Sequence, residues 1–169
     1  MSVHQHRHAA PKQVATAVIT VSDTRTLEDD TGGALVVELL EGHGHRVAAR
    51  EIVKDEPEAI AGALRAALAQ EEARAVILTG GTGVAPRDVT PDTVEPLLDR
   101  VISGFGELFR MLSYEEIGSA ALLSRALAGI VSGRVVFVLP GSRGAVRLGM
   151  EKLILPELGH LAGEAVKQR

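Results

Sequence analysis

Residues 78–92 read Leu-Thr-Gly-Gly-Thr-Gly-Val-Ala-Pro-Arg-Asp-Val-Thr-Pro-Asp, and they hold most of the chemical information in the chain. The run before them, Ala75-Val76-Ile77-Leu78, is short and branched enough for a buried strand. Gly80, Gly81 and Gly83 then free the backbone around Thr82. Glycine tolerates positive φ and carries no Cβ, so successive N–H groups can turn toward an anion that approaches the main chain. Arg87 adds a guanidinium fork that suits phosphate oxygens. Asp88 adds a hard oxygen ligand of the kind Mg²⁺ takes in nucleotide sites. Thr90-Pro91-Asp92 reads as an N-cap, a proline at the first helical position and an acid in the first turn. Strand, glycine loop, base, acid and helix start, in that order, suit a phosphorylated ligand at the C-terminal edge of a parallel sheet.

Four further segments belong with this one. Val21-Ser22-Asp23-Thr24-Arg25 closes an apolar run, and Val53-Lys54-Asp55-Glu56 closes another. Gly104-Phe105-Gly106-Glu107 and Leu139-Pro140-Gly141-Ser142 lie in the second half. Taken with TGGTG and RDVTPD, these segments resemble the molybdopterin-binding family of MoaB and MogA, which also forms a domain of gephyrin and MoeA. The resemblance runs over residues 14–160, and five ordered motifs are far more specific than one glycine loop. The short length and the loop Gly141-Ser142-Arg143-Gly144-Ala145 look more like the MoaB branch, since a proline often stands at the place of Arg143 in the MogA branch.

The resemblance implies a reaction. Active members bind molybdopterin and MgATP, join the terminal phosphate of the pterin to the α-phosphorus of ATP, and release pyrophosphate. By matched position Asp55 and Asp88 correspond to the family's catalytic aspartates, and they read as Mg²⁺ ligands, direct or through water, rather than as general bases. Gly80, Gly81, Thr82 and Gly83, with Arg87, correspond to one phosphate and nucleotide loop, and Pro140, Gly141 and Ser142 to the second. Ser22, Asp23 and Thr24 lie in the matching first loop. The resemblance also implies a homo-oligomer, a trimer or a hexamer made of two trimers. A second function class stays open, a module that holds molybdopterin without adenylating it. A third is a generic nucleotide-binding α/β domain, although the chain has no GxxxxGK[ST] and no GxGxxG after its first strand.

Elements that could position these loops follow from the pattern. Strands are expected at 14–22, 46–53 and 75–79, each ending at one of the loops. Helices are expected at 34–41, 56–70, 90–98 and 106–113, with a further turn or two over 115–123. Ser132-Gly133 between residues 126–131 and 134–139 signals a hairpin, so one antiparallel strand is expected in an otherwise parallel sheet. Helices over 147–155 and 157–166 are expected to break at Pro156. The fold class is therefore α/β, a three-layer α/β/α arrangement with a mostly parallel sheet and one antiparallel strand. In such a sheet the C-terminal strand ends share an edge, so the loops can converge on one crevice.

Composition narrows the partners. A chain of 169 residues with 46% apolar residues suits one domain, expected over 13–169 after a disordered tail at 1–12. The tail's His4, His6 and His8 read as part of that leader rather than as metal ligands. Phe105, Phe109, Phe137 and Tyr114 are the whole aromatic complement, and the net charge is −4. Nucleic acid is therefore not an expected partner, because stacking platforms and a basic surface are both missing. Without cysteine there is no thiol nucleophile or Cys-based zinc site. No apolar run approaches a membrane span, and the cytoplasm is the expected compartment.

The residues themselves leave plainer readings open. Asp55 with Glu56 and Pro57 could simply cap the next helix. Gly141-Ser142 could be an ordinary strand-to-helix turn. Asp29-Asp30 ahead of Thr31 reads as an acidic helix cap in preference to a metal site. Arg25 and Arg143 are candidate accessory phosphate contacts. Phe105, Leu108, Phe109 and Leu112 are candidates for an apolar oligomer surface.

Overall fold

The computed structural model describes residues 10–167. Six strands form one sheet in the order β2-β1-β3-β6-β5-β4. They are β1 (Ala15–Val21), β2 (Arg46–Val53), β3 (Ala75–Thr79), β4 (Arg100–Val101), β5 (Leu127–Val131) and β6 (Arg134–Leu139). β2, β1, β3 and β6 are mutually parallel, and β5 runs against both of its neighbours. The single antiparallel strand is thus the one the hairpin signal marks. Ser132 at φ 48° and Gly133 at φ 75° make the turn, which is why a glycine and a small polar residue stand there.

Period-two alternation divides each central strand between two cores. Val18, Ile77 and Phe137 face one, and Ile19, Leu78 and Val138 face the other. The first core is covered by α1 (Thr31–Gly42), α4 (Ser103–Ile117), α5 (Arg143–Gly149) and α6 (Leu155–Ala165). The second is covered by α2 (Pro57–Ala69) and α3 (Thr90–Val94). This is the expected three-layer arrangement, built almost wholly from aliphatic side chains. The aromatic exceptions are Phe105 and Phe109 on α4 and Phe137 on β6, with the Phe105 ring centroid 6.3 Å from that of Phe109 and 5.4 Å from that of Phe137.

That cluster corrects one expectation. Phe105 and Phe109 are core residues at 7% and 1% exposure, not oligomer surface. Of the four residues expected there only Leu108 stays open, and Leu112 is half-buried. The exposed apolar stripe lies one helical face away, at Met111, Tyr114 and Ile117 of α4 and at Leu122 and Leu123 beyond it.

Several boundaries also move. α1 starts at Thr31, because Asp30 caps it by accepting from the Gly33 N–H at 2.9 Å. α4 extends from Ser103 to Ile117, and a 3₁₀ turn, Gly118–Leu123, follows it. Thr90 is the first residue of α3 rather than its cap, and its buried hydroxyl has no hydrogen-bond partner among the described residues. The chain does not break at Pro156. α5 passes through a π-helical turn, Met150–Ile154, directly into α6. There the Leu155 N–H donates to the Met150 carbonyl, five residues back. The wider register meets the proline, which has no N–H to offer.

Asp30 is also the hub of a buried polar cluster beneath the site edge of the sheet. It accepts from the Thr20 hydroxyl at 2.7 Å and from Arg50 Nη2 at 3.2 Å, in addition to the Gly33 amide. Asp30→Ala removes the cap and leaves half-buried Arg50 without its carboxylate. The expected loss is about 3 kcal/mol, the sum of a lost cap and an uncompensated polar cluster. Urea denaturation checks it, and a loss under about 1 kcal/mol, the worth of a cap alone, would mean the cluster adds nothing.

Candidate functional site

The chain passes from β1 to β2 on one side and then to β3 on the other, so the strand order reverses at β1. Parallel sheets open a crevice at such a point, outside the C-terminal strand ends. The loops after β1, β3 and β6 meet here with almost no space between their backbones. The Gly80 N–H donates to the Leu139 carbonyl at 2.9 Å. Gly80 has φ +99°, and a Cβ there would lie 2.3 Å from the Val21 carbonyl oxygen. A Cβ on Gly141 would touch the Gly80 Cα at 3.3 Å, and one on Gly32 would lie 2.9 Å from the Gly141 oxygen. The glycines are therefore required by contact with one another as well as by backbone conformation.

Asp55 and Asp88 flank the same loop. A Cβ on Gly81 would lie 2.7 Å from Asp55 Oδ1, and one on Gly83 would lie 2.7 Å from Asp88 Oδ2. Asp88 Oδ2 also accepts from the Ala85 N–H at 3.1 Å. Asp55 follows β2 and caps nothing: the N-cap of α2 is Glu56, with no side-chain bond. Asp23 spans the two sides of the crevice. Its Oδ1 accepts from the Asp55 N–H at 3.2 Å, and its Oδ2 takes Arg87 Nε at 2.9 Å and Nη2 at 2.6 Å. Arg87 is thus not a free cation, since its fork already holds a carboxylate. That bond keeps the Asp23 carboxyl below the usual aspartate range.

Nine of the thirteen expected site residues line two clefts that share Gly141. The larger, about 350 Å³, is lined by Gly81, Thr82, Gly83 and Asp88 on one wall and by Pro140, Gly141 and Ser142 on another. Phe109, Ile117, Ala120, Leu123 and Ala145 supply its apolar side, with Ser113 and Ser124 among them. The smaller, about 130 Å³, takes in Ser22, Arg25, Asp30, Thr31 and Gly80. Asp23, Thr24, Asp55 and Arg87 line neither cleft. Ser22 shapes its loop, its hydroxyl accepting from the Thr24 and Arg25 amides at 3.3 and 3.1 Å. Ser142 caps α5 through the Ala145 amide at 3.3 Å. Arg25 and Arg143 donate to the carbonyls of Asp29 and Thr31.

Sequence reasoning missed one participant. Arg125, just before β5, reaches back over about forty residues to the glycine loop, donating from Nε to the Gly83 carbonyl at 2.9 Å. No local pattern marks it. The only sequence signal is an arginine amid an otherwise apolar and small-residue stretch, 119–131.

The arrangement can bind a phosphorylated ligand along two glycine loops, with carboxylates at hand for a hard cation and an apolar wall for a ring system. No serine–histidine or cysteine–histidine pair lies among these residues, so the arrangement holds no histidine-activated hydroxyl or thiol.

Known proteins bear on this geometry. The family model described as a probable molybdopterin binding domain matches residues 17–160. Molybdenum cofactor biosynthesis protein B of Bacillus cereus is 54% identical over 169 residues, covering 99% of this chain and 100% of its own. A crystal structure of molybdenum cofactor biosynthesis protein B superposes with a TM-score of 0.91 at 54% identity, over 94% of this chain and 99% of that one. The tungsten cofactor synthesizing protein MoaB from Pyrococcus furiosus superposes at 0.85 with 41% identity, over 94% and 100% of the two chains.

Asp55 ionises against the local field. Partial burial pushes its carboxyl upward, the neighbouring charges of Asp23 and Asp88 push it further, and Arg87 only partly offsets them. A folded-state value above the unfolded one means that ionisation costs the native state more than the unfolded chain. Stability is therefore lost as pH rises from about 4, the ordinary aspartate value, through the raised native value. Asp55→Asn abolishes that cost. The variant should have a higher denaturation midpoint than wild type near neutral pH, and the gap should close as pH falls toward about 4. A neutral-pH midpoint below that of wild type would show that the carboxylate stabilises the fold.

Proposed function

The chain belongs to the MoaB family of molybdenum cofactor biosynthesis proteins, a molybdopterin-binding domain family, and on that premise we propose that it is an Mg-ATP-dependent molybdopterin adenylyltransferase. An oxygen of the pterin's terminal phosphate attacks the α-phosphorus of ATP. The bond from that phosphorus to the bridging oxygen of the β-phosphate breaks, and pyrophosphate leaves with the electron pair. The attacking phosphate is already ionised, so no general base is needed, which accords with a site that has none. What remains for the protein is alignment and charge neutralisation.

The observation that carries this reading is the pair of carboxylates, Asp55 and Asp88, set against the side-chain-free faces of Gly81 and Gly83. A Cβ at either glycine would fill the space beside a carboxylate oxygen. The donor set is hard oxygen only, and one or two carboxylates completed by substrate phosphates is how Mg²⁺ is commonly held. Asp55 and Asp88 would hold it, and when bound it would supply positive charge to the phosphate oxygens during transfer. The loop amides of residues 81–83 receive phosphate oxygens, and the second loop at Gly141 and Ser142 lies against the nucleotide. Arg87 joins them by exchanging Asp23 for a phosphate oxygen. The apolar side of the larger cleft accepts the flat pterin ring.

A narrower reading is a molybdopterin-binding protein of the same pathway without transfer activity. Purified protein with molybdopterin and MgATP separates the two. The adenylyltransferase forms AMP-linked molybdopterin and pyrophosphate, whereas the binding module retains the pterin and releases none.

In the same assay Asp88→Asn should keep the fold and lower transfer at least about a hundredfold, the effect of one lost charge-stabilising group in a phosphoryl-type transition state. Asp55→Asn should act similarly. Normal turnover in Asp88→Asn would remove the carboxylate assignment.

We also propose a trimer or hexamer. The exposed apolar stripe of Met111, Tyr114, Ile117, Leu122 and Leu123 supports association through that side of the molecule. Light scattering at micromolar concentration should report it, and a monomer would count against it.

A further inference from the structure

We infer that Arg125 is a positioning residue that holds the glycine loop in its ligand-receiving shape from the side away from the larger cleft. The role rests on the reading of residues 80–88 as a phosphate loop.

A loop that offers N–H groups to an anion must point its carbonyls elsewhere, and those carbonyls need donors of their own. Arg125 supplies them. Its Nε donates to the Gly83 carbonyl at 2.9 Å, and its Nη2 donates to the carbonyl of Asp88. Its own backbone N–H donates to the Thr82 carbonyl at 3.3 Å. Its remaining arm, Nη1, meets Asp92 at 2.8 Å in the first turn of α3. One residue thus ties down both ends of the loop, the peptide that bears Asp88, and the helix that follows. Only a guanidinium has a rigid fork able to meet separate acceptors at once, and it stays protonated throughout the physiological range.

Arg125 does not line the larger cleft. Its neighbours Leu123 and Ser124 do, together with Gly81, Thr82 and Gly83. The same bonds therefore set the shape of one wall and its distance from the other. The Arg125 side chain is about two-thirds buried, whereas its partner Asp92 is mostly exposed, at 66%. The ion pair is of the solvent-screened kind that contributes little, so the carbonyl bonds carry the effect.

The test compares Arg125→Lys, Arg125→Ala and Asp92→Asn in the full chain. Lysine keeps the charge but cannot bridge the carbonyls, and Asp92→Asn removes the ion pair alone. Arg125→Lys should speed hydrogen exchange of amides in 80–92 and raise the KM for MgATP about tenfold, as expected where a receptor loop is displaced by a fraction of an ångström. Loss of folded protein alone would lower kcat and leave KM unchanged. Asp92→Asn should match wild type in both measurements. Methylguanidinium should restore part of the MgATP affinity of Arg125→Ala.

Exchange and KM in Arg125→Lys equal to wild type would overturn the inference, as would an equal defect in Asp92→Asn. If Arg125→Ala does not fold, the lysine variant decides. If wild type shows no turnover, the adenylyltransferase reading fails. The exchange comparison, and calorimetric binding of inorganic pyrophosphate with Mg²⁺ to wild type and Arg125→Lys, still decide the role of Arg125. Faster exchange with weaker pyrophosphate binding supports it, and unchanged values overturn it.

Discussion

Everything about this site depends on three backbones meeting where no side chain fits. The end of β1, the loop after β3 and the loop after β6 approach so closely that a single methyl at Gly80 would overlap the Val21 carbonyl. Gly141 stands against Gly80, and Gly32 at the start of α1 stands against Gly141. Interlocked glycines of this kind cannot be relaxed singly, because each contact fixes the position of the next. The contact also explains why the site lies at this place in the sheet. Parallel strands bring their C-terminal ends to one edge, and only where the chain reverses its order do the following helices diverge enough to leave an opening.

Charge is the second constraint, and it is deliberately unequal. Asp23 is satisfied, held by the Arg87 fork and by the Asp55 amide. Asp55 is not, since it feels two like charges and partial burial against one cation. A carboxylate kept in that condition is a cost to the folded chain, and it is lowered by any cation that arrives with the ligand. Asp30 provides the contrast. It is as buried as a core residue, yet a hydroxyl, an amide and a guanidinium surround it. The two acids lie near the same sheet edge and serve opposite ends: one is tied into the scaffold, the other is left in want of a partner.

Local pattern in the sequence was enough for the scaffold and much of the site, and it failed where distance intervenes. Branched runs ending in glycine or acid marked β1, β2, β3 and β6, and Ser132-Gly133 marked the reversed strand. Asp30 was legible as a cap, because capping is a contact across three residues. β4 was not legible, since a two-residue strand leaves no alternation to read. Phe105 and Phe109 were misread as surface because a short aromatic cluster looks the same on either side of a helix, and only the position of Phe137 turns it inward. Pro156 was misread because the π-helical turn that accommodates it has no signature in residue types. Arg125 was missed because a long side chain can bond to backbone carbonyls far along the chain, and carbonyls are identical at every residue.

These misses share a cause with the way the site is built. Glycine loops are legible because they are made of exceptions to side-chain rules, but a flexible loop has no shape of its own. Its shape comes from groups that bind its backbone: the Leu139 carbonyl, which takes the Gly80 N–H at the base, and Arg125, which donates to its carbonyls on the far side. Catalysis by alignment demands such support more than catalysis by a nucleophile does. A serine or cysteine retains intrinsic reactivity when displaced slightly, whereas a site that only positions phosphates and a cation loses its advantage with the displacement itself. For the transfer proposed, a crevice with no nucleophile–base pair must therefore hold its backbone tightly. The interlocked glycines and the arginine behind the loop are two ways in which this one does so.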